Sequence, residues 1–399
     1  MNYGFRIINS LFAVVALLTM TLTVYADSIP SAFSRPLEWQ VGADFAPAYV
    51  PGTNNFLKGD NPLGKRISTS FAGDIRAAFR FNPASKEGML YPGLYQGFGV
   101  GANTFFNNEL LGNPVSVYVF QGAPIAHFGS RLWLGYEWQF GAALGWKHFD
   151  KDEVYSAPVS TMATAHMGIA LKMHYALSER WNMSFGIAAH HFSNGNTTLP
   201  NSGVNRIGAV IGLSYVLNPQ KENTTPDEAL IAEAGRGHWF YDITAYGAWR
   251  RRIVSIGEPA EAQLCPGKFG VAGIQFAPMR QLGRYFAVGP SLDLQWDESA
   301  ALDSYWIDGS YGENIKFERP PFGKQISAGL SAHAELTMPV FAVNAGLGFN
   351  IVNPEGEKRF YQSLTLKTFV TRNLFLNVGY RLGSFKEPQN LMLGIGVRL

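Results

Sequence analysis

"MGIALKMHYALSERWNMSFGIAAHHFS", residues 167–193, alternates by two on either side of a short polar break. In its first part Met167, Ile169, Leu171, Met173, Tyr175 and Leu177 share one phase, while Gly168, Ala170, Lys172, His174 and Ala176 share the other. Past residues 178–180 the apolar phase resumes with Trp181, Met183, Phe185, Ile187 and Ala189. A period of two is what a strand with one greasy face produces, and so short a break joins two antiparallel strands. A soluble sandwich and an outer-membrane barrel both write this pattern, the first with the greasy face inside and the second with it toward lipid. Length separates them: the runs extend over about 10 to 19 residues, enough for a tilted membrane strand and beyond the usual soluble one.

The pattern extends outward from there. In the first half eight strands are expected, near residues 37–50, 67–82, 95–106, 115–125, 131–149, 163–177, 181–193 and 206–217. Their connections alternate between long polar loops and tight turns, as outer-membrane barrels require. Only the second connection, residues 83–94, is longer than that rule predicts. Within the third strand the glycines of "GFGVG", residues 97–101, also have period two, which fits small residues facing a barrel interior rather than a dinucleotide loop.

Residues 218–237 form a polar linker with a short helix expected over residues 228–234. The chain then repeats itself. "LKMHYALSERWNMSFG" (171–186) aligns without a gap on "LTLKTFVTRNLFLNVG" (364–379), and "AALGWK" (142–147) lies similarly against "AGLGFN" (345–350). In this register His191 falls on Ser384 and Ser193 on Lys386, so the second copy lacks both. The fold expected is all-β: an outer-membrane antiparallel β-barrel protein of two eight-stranded repeats, with one sixteen-stranded barrel as the alternative. Faces rich in Gly, Ala and Ser opposite the greasy ones favour two small, filled barrels.

Composition agrees. The chain of 399 residues is 47% hydrophobic and only 16% charged, with 43 glycines, and its net charge of +2 gives no basis for a nucleic-acid partner. Residues 1–26 read as a secretory signal, with a basic start, an apolar stretch too short to span a bilayer, and a small-x-small cleavage site. The domains expected are therefore the signal at 1–26, a first barrel at 27–217, the linker at 218–237 and a second barrel at 238–399. Cys265 is the single cysteine, so no internal disulfide forms.

The chemistry sits where the seventh strand ends. Counting by two from Ala189 reaches His191 and then Ser193, so both follow the lipid-facing stripe while His190 faces the lumen. Positions two apart on one strand face stand about 6.5 to 7 Å apart at Cα, within an imidazole's reach of a hydroxyl. Asn194 and the Gly195 amide follow, where they can offer donors to an oxyanion. A plain polar turn is the competing reading of Ser-Asn-Gly-Asn. Another polar signal is the basic run of Arg250, Arg251 and Arg252, either a contact for lipid phosphates or a solvated loop cluster.

"HFSNGNTTLPNSGVNRIGAVIGLSY", residues 191–215, resembles the signature of the outer-membrane lipid A 3-O-deacylase family, including its Bacteroidota-type acyloxyacyl hydrolases. The shared features are H-x-S-N, a loop with P-N-x-G-x-N and a last strand G-x-x-x-G-L-x-Y; the likeness reaches more loosely back over residues 91–146. The resemblance implies an outer-membrane serine esterase of a Gram-negative cell that removes the ester-linked 3-hydroxyacyl chain from lipid A of lipopolysaccharide. It implies Ser193 as nucleophile, His191 as base, Asn194 in the oxyanion hole, outer-membrane lipids as surroundings, and no metal or other cofactor. Where family members carry a glutamate as third member, this chain has Asn205, with Glu109 as a distant substitute. The function of another class is a catalytically silent barrel, porin-like or serving adhesion or assembly, in which Asn205 marks a decayed site.

Overall fold

The computed structural model describes residues 37–147, 158–220, 227–257, 261–310, 314–385 and 387–399. The expected signal segment and Lys386 lie outside the described residues. Strands β1 (Glu38–Tyr49), β2 (Thr69–Arg80), β3 (Tyr95–Thr104), β4 (Gly112–His127), β5 (Leu132–Trp146), β6 (Ala163–Ala176), β7 (Trp181–Ser193) and β8 (Val204–Val216) close into one barrel, β8 pairing with β1. Every neighbour is antiparallel, and the seventh strand begins and ends where the alternation puts it. A helix, Glu228–Gly235, follows in the linker, capped by the Asp227 carboxylate accepting from Leu230 N.

The second barrel is built from β9 (Trp239–Arg250), β12 (Phe269–Leu282), β13 (Phe286–Asp297), β14 (Ile326–Thr337), β15 (Phe341–Val352), β16 (Phe360–Phe369), β17 (Leu374–Gly383) and β18 (Glu387–Arg398). A hairpin of β10 (Ile253–Ile256) and β11 (Glu261–Leu264) stands outside it, an addition the sequence pattern did not signal. Two closed barrels replace the sixteen-stranded alternative. The hairpin packs Val254, Ile256 and Cys265 against Leu302 and Ile315; burial pushes the Cys265 thiol up to about 12, so it acts as a packing residue.

Alternation sorts the two faces. Phe45, Ile75, Phe185 and Ile187 point outward, Ile75 with 76% of its surface exposed, as a lipid-facing band requires. The interiors are filled. A Cβ at Gly99 would stand 2.5 Å from the Tyr118 ring and one at Gly101 2.1 Å from the Asp74 carboxylate, so the inward glycines of β3 leave room for those side chains. In the first lumen Asp44 and Glu137 face Arg76 and Lys172, with Lys172 Nζ 2.9 Å from Asp44 and 3.1 Å from Glu137, and Arg76 2.6 Å from Glu137 and bonded to Asp44. The second lumen holds its own four, Asp242, Glu335, Lys367 and Arg398, at 2.6 to 2.7 Å. Two anions and two cations in each cluster cancel, which makes burial of four charges tolerable.

The barrels lie side by side. Trp138 meets Phe341 edge to face, with ring centroids 5.3 Å apart. At the tight-turn end the overlong β2–β3 connection explains itself: its short helix ends on the second barrel, where Leu90 O accepts from Arg284 at 3.2 Å and Tyr91 packs on Tyr285. The long loops of both barrels gather at the opposite end.

Candidate active site

At that loop end β7 keeps its alternation to the last residue. His191 and Ser193 lie outside in line with the exposed Trp181, Met183, Phe185 and Ile187, while Phe192 between them is fully buried. Phe192 packs on Trp146, which packs on Phe105, with centroids 5.3 and 5.4 Å apart. This aromatic plug, shared with Leu110, Leu111 and Val204, fixes the strand end and thus the direction in which the two polar side chains leave it. His190 points the other way, its Nε2 3.2 Å from Gln139 Oε1 in the lumen, so the adjacent histidines cannot share a metal.

Across the β7–β8 rung His191 is paired with Asn205, and His191 Nδ1 stands 2.7 Å from Asn205 Oδ1. An amide oxygen only accepts, so Nδ1 carries the hydrogen and Nε2 keeps its lone pair. That is the tautomer a general base needs. Gly203 presses on the ring from the returning loop: at φ +70° a Cβ there would be 3.0 Å from His191 Cε1. Glu109 lies in a short helix of the β3–β4 connection, and the Nδ1 of His191 that it would have to reach is already bonded to Asn205.

Ser193 Oγ accepts two hydrogen bonds, from Asn201 Nδ2 at 2.9 Å and from Gly195 N–H at 3.2 Å. With its acceptor side held, the hydroxyl's own hydrogen is left to donate. No hydrogen bond joins Ser193 to His191 among the described residues, as is frequent before substrate aligns a nucleophile and its base. Asn194 departs from its expected place. Its side chain, one residue past the end of β7, is buried against the loops, with Nδ2 donating to Thr198 O at 2.9 Å and Ser160 Oγ at 3.2 Å. The donors actually next to the serine are Gly195 N–H and Asn201. The P-N-x-G-x-N pattern contains Asn201 but gives it no role; only the folded return of residues 194–203 brings it to the serine, its Oδ1 also accepting from Asn194 N at 3.1 Å.

The aligned position of His191 in the second barrel is Ser384, in a turn after β17. A serine, a histidine and an asparagine do meet elsewhere in that barrel: Ser331 Oγ is 2.8 Å from His333 Nε2, and His333 Nδ1 is 2.6 Å from Asn344 Oδ1. All three are buried in the lumen with Asp293, out of reach of any lipid.

Fold and site together define the class, an outer-membrane β-barrel protein with a serine and a histidine on the outward face of one strand. Residues 97–214 match the model of the family lipid A 3-O-deacylase (PagL), and residues 239–399 match that of the acyloxyacyl hydrolase C-terminal domain. The first barrel is thus a domain of the lipid A 3-O-deacylase family and the second an acyloxyacyl hydrolase C-terminal domain, and the protein's place is the outer membrane of a Gram-negative cell. Among solved structures it is similar to the Neisserial surface protein A (NspA), at 14% identity over 44% of this chain and 96% of that one, with a TM-score of 0.31. It is also similar to the outer membrane protein Omp33 of Acinetobacter baumannii, at 9% identity over 92% of this chain and 99% of that one, with a TM-score of 0.17. Comparison with curated proteins gave no significant match.

Proposed function

We propose that the first barrel is a serine esterase that removes the ester-linked 3-hydroxyacyl chain of lipid A. The observation that carries this is the outward Ser193 and His191 on one strand face, with His191 Nδ1 bonded to Asn205. Ser193 Oγ attacks the ester carbonyl while its proton passes to His191 Nε2. The resulting oxyanion draws on Gly195 N–H and Asn201 Nδ2, donors already aimed at Oγ, and Asn194 holds the loop that presents them. Collapse breaks the ester C–O bond, and His191 returns the proton to the sugar oxygen that leaves. Water, deprotonated by the same nitrogen, then releases the hydroxyacid and restores Ser193. No metal or cofactor enters any step. The site faces sideways into the outer leaflet, where the ester lies, so the substrate need not leave the membrane.

Mass spectrometry of lipid A from cells making the protein tests this. The expected result is loss of one 3-hydroxyacyl chain, abolished by Ser193→Ala and by His191→Ala, each folded as judged by heat-modifiable migration. Unchanged spectra with folded wild-type protein would overturn the enzyme in favour of a silent barrel. Full activity in either variant would overturn the assignment of Ser193 as nucleophile and His191 as base.

A further inference from the structure

Three consecutive arginines begin at the last residue of β9, and the structure treats them differently. Arg250 points into the second lumen and pairs with Asp297 at 2.9 Å. Arg252 is held by Glu357 at 2.5 Å, with Asp303 at 4.0 Å. Arg251, between them, falls on the outward phase and has no carboxylate partner among the described residues; its Nε is buried without a hydrogen bond. Lys268 adjoins the same rim, one residue beyond the rung that joins Phe269 to Arg250. Its ammonium lies 5.6 Å from the Trp249 ring centroid and has no carboxylate partner among the described residues either. Two cations on adjoining positions without an anion repel each other, and an anion bound between them would relieve that repulsion.

Their position gives that anion a context. Arg251 N donates to Asn196 O at 3.0 Å, and Asn196 Nδ2 donates to Pro388 O at 3.3 Å, so the second barrel holds the loop that carries the donors for Ser193. A Cβ at Gly195 would strike Leu391 at 2.7 Å and Tyr380 at 3.2 Å, both of the second barrel. Asn196 is three residues from Ser193, which keeps the two Cα atoms within about 10 Å even if that stretch were fully extended. Arg251 is thus joined through its backbone to the loop that carries the donors for Ser193, beside the site.

Resting on the esterase reading above, we propose that the second barrel supplies the headgroup anchor of the active site, with Arg251, seconded by Lys268, binding a phosphate monoester of the glycolipid whose acyl ester lies over Ser193. Arginine suits this task because its planar fork grips a phosphate through two parallel hydrogen bonds. A catalytic barrel with a companion barrel then acts as one site, chemistry on one side and recognition on the other.

The test uses the full-length protein in detergent and lipid A with and without its phosphates. Arg251→Ala raises KM for phosphorylated lipid A by about tenfold or more, with the loss in KM rather than kcat, and Arg251→Lys recovers part of it. Removing the phosphates from the substrate costs the wild type as much, and combining both changes adds nothing further. Lys316→Ala, an exposed cation on an outer loop of the same barrel, leaves KM unchanged. Binding of lipid A to the Ser193→Ala protein reports the same dependence without turnover, so a failed esterase and a failed anchor give different results. Equal weakening of phosphorylated and dephosphorylated lipid A by Arg251→Ala overturns the anchor. Competition by millimolar inorganic phosphate overturns the assignment to a lipid headgroup in favour of a general anion site.

Discussion

In the esterase proposed above, Asn205 is the residue on which the chemistry turns. Its amide orients His191 but carries no charge, so the imidazolium that forms during attack is not balanced as a carboxylate would balance it. Asn205→Ala should lower kcat about a hundredfold by releasing the ring, whereas Asn205→Glu should raise it up to about tenfold by adding a charge beside the forming cation. Initial rates on lipid A in mixed micelles measure both, and a glutamate variant slower than wild type would show that the neutral partner is the tuned one. The placement of His191 and Ser193 on one outward face, with Asn205 beside the histidine, was legible in the sequence because a strand's period of two fixes which side chains share a face, and because a motif gave their spacing. Asn201 and the burial of the Asn194 amide against the loops were not legible. Both depend on how the loop folds back on itself, for which one residue type after another gives no phase.

Strands carried most of the legible information and their interiors carried little. The alternation marked all eight strands of the first barrel, yet nothing in it revealed that Asp44, Arg76, Glu137 and Lys172 converge, since they come from four strands whose register is set only on closure. Lys172→Met should destabilise the barrel by about 3 to 5 kcal/mol, because Asp44 and Glu137 would then share a single cation. Adding Glu137→Gln should recover part of that loss. Urea unfolding in detergent, followed by tryptophan fluorescence, measures both, and an unchanged midpoint for the single variant would refute this charge balance. The β2–β3 connection differs from the strands in what makes it readable. It broke the rule of tight periplasmic turns, and its excess length belongs to the contact through Leu90 and Tyr91, a relation between barrels that no single-barrel pattern encodes.

For the whole molecule, repetition was legible, as was the second copy's lack of the His191 and Ser193 pair, but what its lumen holds was not. The gapless alignment of residues 171–186 on 364–379 foretold two barrels of like topology, but the lumenal meeting of Ser331, His333 and Asn344 left no such trace. That trio has the hydrogen bonds of a catalytic set but is buried in the lumen, so position on the wall, rather than residue type, separates it from the outward His191 and Ser193. Filled lumens make a measurable statement about the molecule: reconstituted in planar bilayers, it should pass no single-channel current, and steady conductance steps would contradict the packing described. A bacterium can therefore make this protein in quantity without its surface becoming leaky. Dosage is decoupled from permeability, a freedom that hollow cylinders of the same wall do not have.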